Sequence, residues 1–86
     1  MSSANPFIIA AQIRAARGLL GFSQTTLSEL ADVGIATVKR LELATEITAS
    51  ARTVMKIQSA LEAAGVEFLP NDDAHGPGVR LKLPRK

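Results

Sequence analysis

The sequence has no cysteine and a single histidine among its 86 residues. No disulfide can form, and one histidine without cysteine leaves structural zinc without a ligand set. Chains of this length bury only a modest core and are commonly stabilised by disulfides, metals or self-association, which leaves oligomerisation as the remaining option. Long hydrophobic runs are also missing. The longest apolar stretches, near Phe7 to Ile13, are interrupted by Gln12 and Arg14, so nothing spans a bilayer. The N-terminus shows neither the basic start nor the cleavage site of a signal peptide, and the expected compartment is the cytoplasm. Nor is there a cysteine nucleophile, a glycine-rich phosphate cradle or a second histidine, and the Ser and Thr residues serve as caps with no base beside them. No catalytic residue and no cofactor is assigned. His75 stands beside Asp72 and Asp73 in a Gly- and Pro-rich segment that does not preorganise ligands, so no metal site is assigned either. The net charge is only +2. Dedicated nonspecific nucleic-acid binders are far more basic, whereas a specific reader needs its cations only on the face that meets phosphate.

What is present is concentrated between Ser23 and Glu42, SQTTLSELADVGIATVKRLE. Leu27, Leu30 and Ala31 fall on one face of a first short helix, and Val33, Val38 and Leu41 continue the pattern past a break. That spacing lets two helices pack at a steep angle over a shared core. The break is Asp32-Val33-Gly34. Asp tolerates the left-handed conformation better than most residues and Gly34 serves as a modest N-cap, so the chain turns sharply without a long loop. Ser23 supplies a hydroxyl N-cap ahead of Gln24, and Ser28 is small enough for close helix approach. The layout is that of a DNA-reading helix-turn-helix.

Three further elements surround it. Asn5-Pro6 signals the start of a first helix, with Phe7, Ile9, Ala10, Ile13, Ala16 and Leu20 as its buried side and Gly21 as its stop. Helix 2 is expected at about Gln24 to Ala31 and helix 3 at about Ile35 to Leu43, followed by a Thr-containing connector to Ala49. Helix 4 takes Ser50 as cap and runs to Ala64, with Val54, Ile57, Leu61 and Ala64 as one stripe and Gly65 as terminator. The period then changes: Val66-Glu67-Phe68-Leu69-Pro70 and Val79-Arg80-Leu81-Lys82-Leu83 alternate apolar and polar residues around a Gly- and Pro-containing loop, which reads as two short strands. A lone hairpin is marginal in water, so it must dock on the helices or pair with a second copy. Pairing across a two-fold axis through Val66, Phe68, Val79, Leu81 and Leu83 is the favoured expectation; an intramolecular hairpin covering helix 4 is the alternative.

The chain resembles the Cro and phage-repressor type (Xre-like) helix-turn-helix family over roughly residues 7 to 64. Ser23-Gln24, Leu27, Ala31, Val33, Thr37, Val38 and Leu41-Glu42 carry the match. Three positions depart from the family pattern: Asp32 where Gly is usual, Gly34 where Ser or Thr is usual, and Ile35 where a polar residue is usual. The resemblance implies that helix 3 lies in the major groove and helix 2 crosses the backbone. By position, Ile35, Ala36, Thr37, Lys39 and Arg40 then face the bases. Lys39 and Arg40 are suited to guanine edges or phosphate, and Ile35 and Ala36 to thymine methyls, with part of the specificity drawn from DNA shape. Gln24, Gly34, Ser50, Arg52 and Thr53 are expected at phosphate, where helix N-termini add N–H groups and positive partial charge. Ser50 as a plain N-cap and Arg52 as a solvated charge remain the competing readings. The resemblance further implies a partly buried ion pair, Arg17 with Glu42, as scaffold. Arg80, Lys82, Arg85 and Lys86 form a basic end that either touches the nucleic-acid backbone or is a solvated strand face.

The expected fold is mainly α: a four-helix, repressor-like helix-turn-helix domain over 1–65 with a C-terminal β extension over 66–86, as a hairpin or as dimerising strands. The expected function is a non-enzymatic, sequence-specific transcriptional regulator. It would act as a homodimer on a pseudo-palindromic operator in double-stranded DNA, with half-sites about 10 bp apart or a multiple of that, and as a repressor. Two alternatives stand beside it: an antitoxin that regulates its own operon and binds a toxin through the C-terminal strands, and a helix-turn-helix adaptor that binds another regulator protein and not DNA.

Overall fold

The computed structural model describes residue 8 and residues 10–43 and 50–82. Four helices, α1 (Ala10–Leu20), α2 (Gln24–Ala31), α3 (Ile35–Leu43) and α4 (Ala51–Ala63), precede an antiparallel pair, β1 (Val66–Leu69) and β2 (Gly78–Leu81). The Asn5-Pro6 start signal, Phe7, Ile9, the connector 44–49, Leu83, Arg85 and Lys86 lie outside the described residues.

Each helix end has a local cause. The Phe22 N–H donates to Arg17 O and the Gly21 N–H to Gly18 O, with Gly21 at φ 71°, which is the paired closure of a Schellman stop. α2 ends the same way without glycine: Val33 N–H donates to Ser28 O, Asp32 N–H to Glu29 O, and Asp32 takes the left-handed conformation at φ 58°. A non-glycine residue there carries a conformational cost, which Asp bears better than most. At the other ends, the Ser23 and Ser50 hydroxyls accept the N–H groups of Thr26 and Thr53.

The core is one cluster drawn from every element except β2: Ile8, Ile13, Ala16, Leu27, Ala31, Val38, Leu41, Val54, Ile57, Leu61 and Val66, with Phe68 and Val79 packed against it. Leu30 corrects the expected inner face of α2, since it is 56% exposed. At about 100° per residue the buried Leu27, Ser28 and Ala31 centre on an arc from which Leu30 stands more than about 100° away. Ser28 stays buried because its hydroxyl donates to Thr25 O, 2.8 Å away.

The two strands pair with each other, in the register Val66↔Leu81, Glu67↔Arg80, Phe68↔Val79 and Leu69↔Gly78. This is the hairpin form of the expected β extension, closed within the chain. Val66 is fully buried and Phe68 and Val79 pack on the core, because a chain this small gains more by closing its own core than by leaving those side chains open. In the connecting loop the Asp72 carboxylate accepts the N–H groups of Ala74 and His75 at 2.8 and 2.7 Å. Those bonds hold its carboxyl below the ordinary carboxylate range. His75 Nδ1 lies 3.1 Å from the same oxygen on an exposed surface, and among the described residues no group of three or more His, Cys, Asp or Glu side chains is assembled.

Gln12 fixes the hairpin to the helices. It breaks the apolar run of α1 in sequence yet is only 6% exposed, and its Nε2 donates to Gly78 O at 2.9 Å and Leu69 O at 3.3 Å, the last rung of the ladder. Replacing it by Ala removes a buried donor at a loss of about 1–2 kcal/mol. The expected result for Gln12→Ala is a thermal midpoint lower by several degrees, at roughly 4–8 °C per kcal/mol for a domain of this size. An unchanged midpoint would show that the amide contributes nothing.

Candidate nucleic-acid interface

α2 and α3 meet at the turn 32–34, and the Gly34 carbonyl opens α3 by accepting the N–H groups of Thr37 and Val38. Val38, Leu41 and Glu42 turn inward, so the other side of α3 is left to solvent. That side carries Ile35, at 38% exposure, with Ala36, Lys39 and Arg40 exposed and Thr37 partly so. The five residues expected at base edges therefore share one accessible surface: two apolar contacts, one hydroxyl and two cations. Lys39 and Arg40 make no ion pair among the described residues and are free to meet an anionic partner.

Glu42 sets how α3 sits. Its side chain is almost fully buried, and both carboxylate oxygens are used: Arg17 Nε donates to Oε2 at 2.8 Å, and Arg17 Nη2 and Gln24 Nε2 donate to Oε1 at 2.9 and 3.1 Å. Arg17 also donates from Nη1 to Phe22 O at 3.0 Å, and Arg14 Nη1 donates to the backbone carbonyl of Glu42. One carboxylate thus ties the last turn of α1, the start of α2 and the last turn of α3. Burial pushes the Glu42 carboxyl up, but the hydrogen bonds from Arg17 and Gln24 and the charges of Arg17 and Arg14 outweigh it and hold the group below its ordinary 4.5.

The residues expected at phosphate are distributed over three sites. Gln24 is partly exposed at the first position of α2, one of its amide hydrogens already committed to Glu42. Ser50 is the N-cap of α4: its hydroxyl accepts from Thr53 N–H and donates to Thr53 Oγ1 at 3.0 Å, so the ordinary capping role is occupied. Arg52 and Gly34 are exposed. Lys56, on α4, reaches back to the turn, with Nζ 3.4 Å from Asp32 O and 3.9 Å from Asp32 Oδ2. α2 packs against both α3 and α4. Arg14, Lys56 and Gln12 were not singled out by sequence reasoning, since each bonds to a backbone carbonyl supplied by a distant element.

Residues 13–68 match the helix-turn-helix family of the Cro/C1 type, and the chain belongs to that family. It is a DNA-binding regulatory domain family, so the chain is a DNA-binding helix-turn-helix regulator. No curated protein matches the chain. Among the described residues, no helix is long and apolar enough to cross a membrane.

The buried carboxylate makes a sharp stability test. Glu42→Ala leaves Arg17 and Gln24 without their acceptor and is expected to cost about 3 kcal/mol, the low end for breaking a buried pair because Arg17 stays partly hydrated. Because the folded group titrates below the unfolded one, its contribution is complete above the ordinary 4.5 and is lost as pH falls through the lower folded value. Denaturant melts over an acid series should therefore show the wild type losing stability below pH 4.5 more steeply than Glu42→Ala; parallel curves would refute the coupling.

Proposed function

We propose that this chain is a sequence-specific transcriptional regulator that binds a pseudo-palindromic operator in double-stranded DNA as a dimer and represses by occupying a promoter. The observation that carries the reading is the solvent face of α3, where Lys39 and Arg40, without an ion pair among the described residues, stand beside Ile35, Ala36 and Thr37 on a helix whose other side is locked into the core. Helices presented in this way enter the major groove, where cations bond guanine O6 and N7 and apolar groups meet thymine methyls. Gln24, Gly34, Ser50, Arg52 and Thr53 are the phosphate set in this reading, and Arg17 with Glu42 is its scaffold. An antitoxin that represses its own operon uses the same DNA chemistry and adds a toxin as protein partner.

A second reading draws on a different surface. Leu30 and Met55 are both 56% exposed and flank an open groove floored by Ala31 and Ala60 between α2 and α4. Exposed apolar pairs of this kind suit a protein partner, as an adaptor without DNA would require.

Selection of duplexes from a random pool at near-physiological salt, with the Lys39→Ala, Arg40→Ala double variant in parallel, separates the two. The expected result is an enriched inverted repeat that the variant fails to recover, each residue contributing about 1–3 kcal/mol, or roughly tenfold or more in affinity. The variant should keep its thermal midpoint, since exposed substitutions of this type stay within about 0.5 kcal/mol. Arg52→Ala should weaken all sequences alike and reduce the salt slope by about one. No enrichment with folded wild-type protein would sink the DNA reading and favour the adaptor.

A further inference from the structure

We infer that the open groove between α2 and α4 is a docking site for an amphipathic helix of a partner protein, one whose apolar face is bordered by acidic side chains. The inference deepens the second reading above, on which it rests for the use of the groove, and it stands or falls apart from the DNA reading of α3.

The shape of the groove selects a helix. Ala31 and Ala60 have no side chain beyond Cβ, so they leave a trough of about 730 Å³ with Leu30 on one wall and Met55 on the other. Val54, Ile57 and Leu61 turn inward on α4, and Arg52, Met55, Lys56 and Ser59 follow one another along its trough side. The eight residues of α2 and the stretch 52–60 of α4 each rise roughly 12–13 Å, which is two to three turns of a guest helix. That length holds apolar anchors at i, i+3 or i+4, and i+7. Floor residues this small let a guest helix approach closely. A small molecule in so open a trough would stay largely wet, whereas small-ligand pockets bury most of the ligand; a helix has only one face to bury. No strand lines the trough, so an extended peptide finds no edge to pair with. Met55 adds an unbranched, polarisable side chain that adapts to a foreign surface.

Charge selects the kind of helix. Three charged residues line the trough, and two of them offset each other, since Lys56 Nζ lies 3.9 Å from Asp32 Oδ2. Arg52 makes no ion pair among the described residues and stands in the first turn of α4, where the helix dipole adds positive partial charge. The complement is an apolar face flanked by Asp or Glu. A second copy of this chain does not offer one. Among the described residues the exposed charges of α1, α3 and α4 are Arg14, Lys39, Arg40, Arg52 and Lys56, all cations, and the exposed acid Glu29 belongs to α2, which forms the trough itself. The acidic helix comes from another protein.

The test is selection of phage-displayed random peptides of about 16 residues, roughly four turns, on the full chain without DNA. Enriched peptides are then measured by fluorescence anisotropy against Leu30→Glu, Arg52→Glu and the Lys39→Ala, Arg40→Ala double variant. The expected peptides carry apolar residues at helical spacing with acidic flanks. Their affinity should fall about tenfold or more on Leu30→Glu and on Arg52→Glu, and should hold on the α3 double variant. Leu30 and Arg52 are exposed, so both variants should keep their thermal midpoint; Leu30→Gln replaces Leu30→Glu if that midpoint falls. No enrichment, enriched peptides without acidic residues, or binding lost on the α3 variant and kept on Leu30→Glu would each overturn the inference. So would decanoate binding in the groove in place of any peptide, or a wild-type dimer in sedimentation that Leu30→Glu dissociates, which would assign the groove to a second copy. Because no DNA is present, the two readings fail separately: peptides that dock without any enriched duplex sink the DNA reading alone, and an enriched duplex without a docking peptide sinks this one alone.

Discussion

The structure depends on one buried carboxylate. A charge as buried as Glu42 is costly unless it is neutralised and its oxygens are bonded, and partial satisfaction is not stable. The arrangement that meets this demand needs Arg17 from α1, Gln24 from α2 and the last turn of α3 at one place. Apolar contacts between Val38, Leu41 and their neighbours tolerate small rotations of a helix; a bidentate guanidinium on a fixed carboxylate does not. The hydrophobic core thus draws α3 in, and Glu42 decides the angle at which Lys39 and Arg40 leave it. Arg14 adds to this by taking the Glu42 carbonyl, a cation at a helix C-terminus where the backbone dipole favours it.

A second constraint is the size of the core. Without cysteine for a disulfide, the chain completes its core by folding the C-terminal segment back over α1 and α4. Val66 enters directly after Gly65, whose φ of 115° makes the sharp exit from α4. β1 contributes a buried residue, Val66, and β2 contributes none. Gln12 then joins the far rung of the ladder to α1, and the hairpin, marginal by itself, becomes part of the domain.

Much of this was legible in the sequence because it is local. Caps such as Ser23 and Ser50, stops such as Gly21 and Gly65, and the stripe Val54, Ile57, Leu61 depend on neighbours within one or two turns. Asp32 was legible too, since its tolerance of the left-handed conformation is intrinsic to the residue. The misreadings share a cause. Gln12 and Arg14 look like interruptions of an apolar run, and what makes them structural is a carbonyl dozens of residues away that no spacing reveals. Leu30 fits the inner face of a helix by period alone and leaves it because α2, eight residues long, has its inner arc filled by Leu27, Ser28 and Ala31. The pairing of the strands was ambiguous for a related reason: alternation marks a strand but names no partner, and the competing gains of closing the core and forming a dimer are not written in either strand.

These two constraints act in series. Glu42 fixes α3 on α1, and Gln12 fixes the hairpin on the same helix, only five residues from Arg17 along its axis. α1 therefore holds the outer face of α3 and the C-terminal hairpin in one fixed relation, through a polar clamp at Gln12 and another at Arg17. Apolar packing alone would let both drift, since it tolerates small rotations that a hydrogen-bonded amide or guanidinium does not. A change at Gln12 loosens the hairpin without touching the outer face of α3, whereas a change at Glu42 alters the tilt of α3. Hairpin docking and the set of α3 are thus separable properties of this chain, each governed by a different buried polar group.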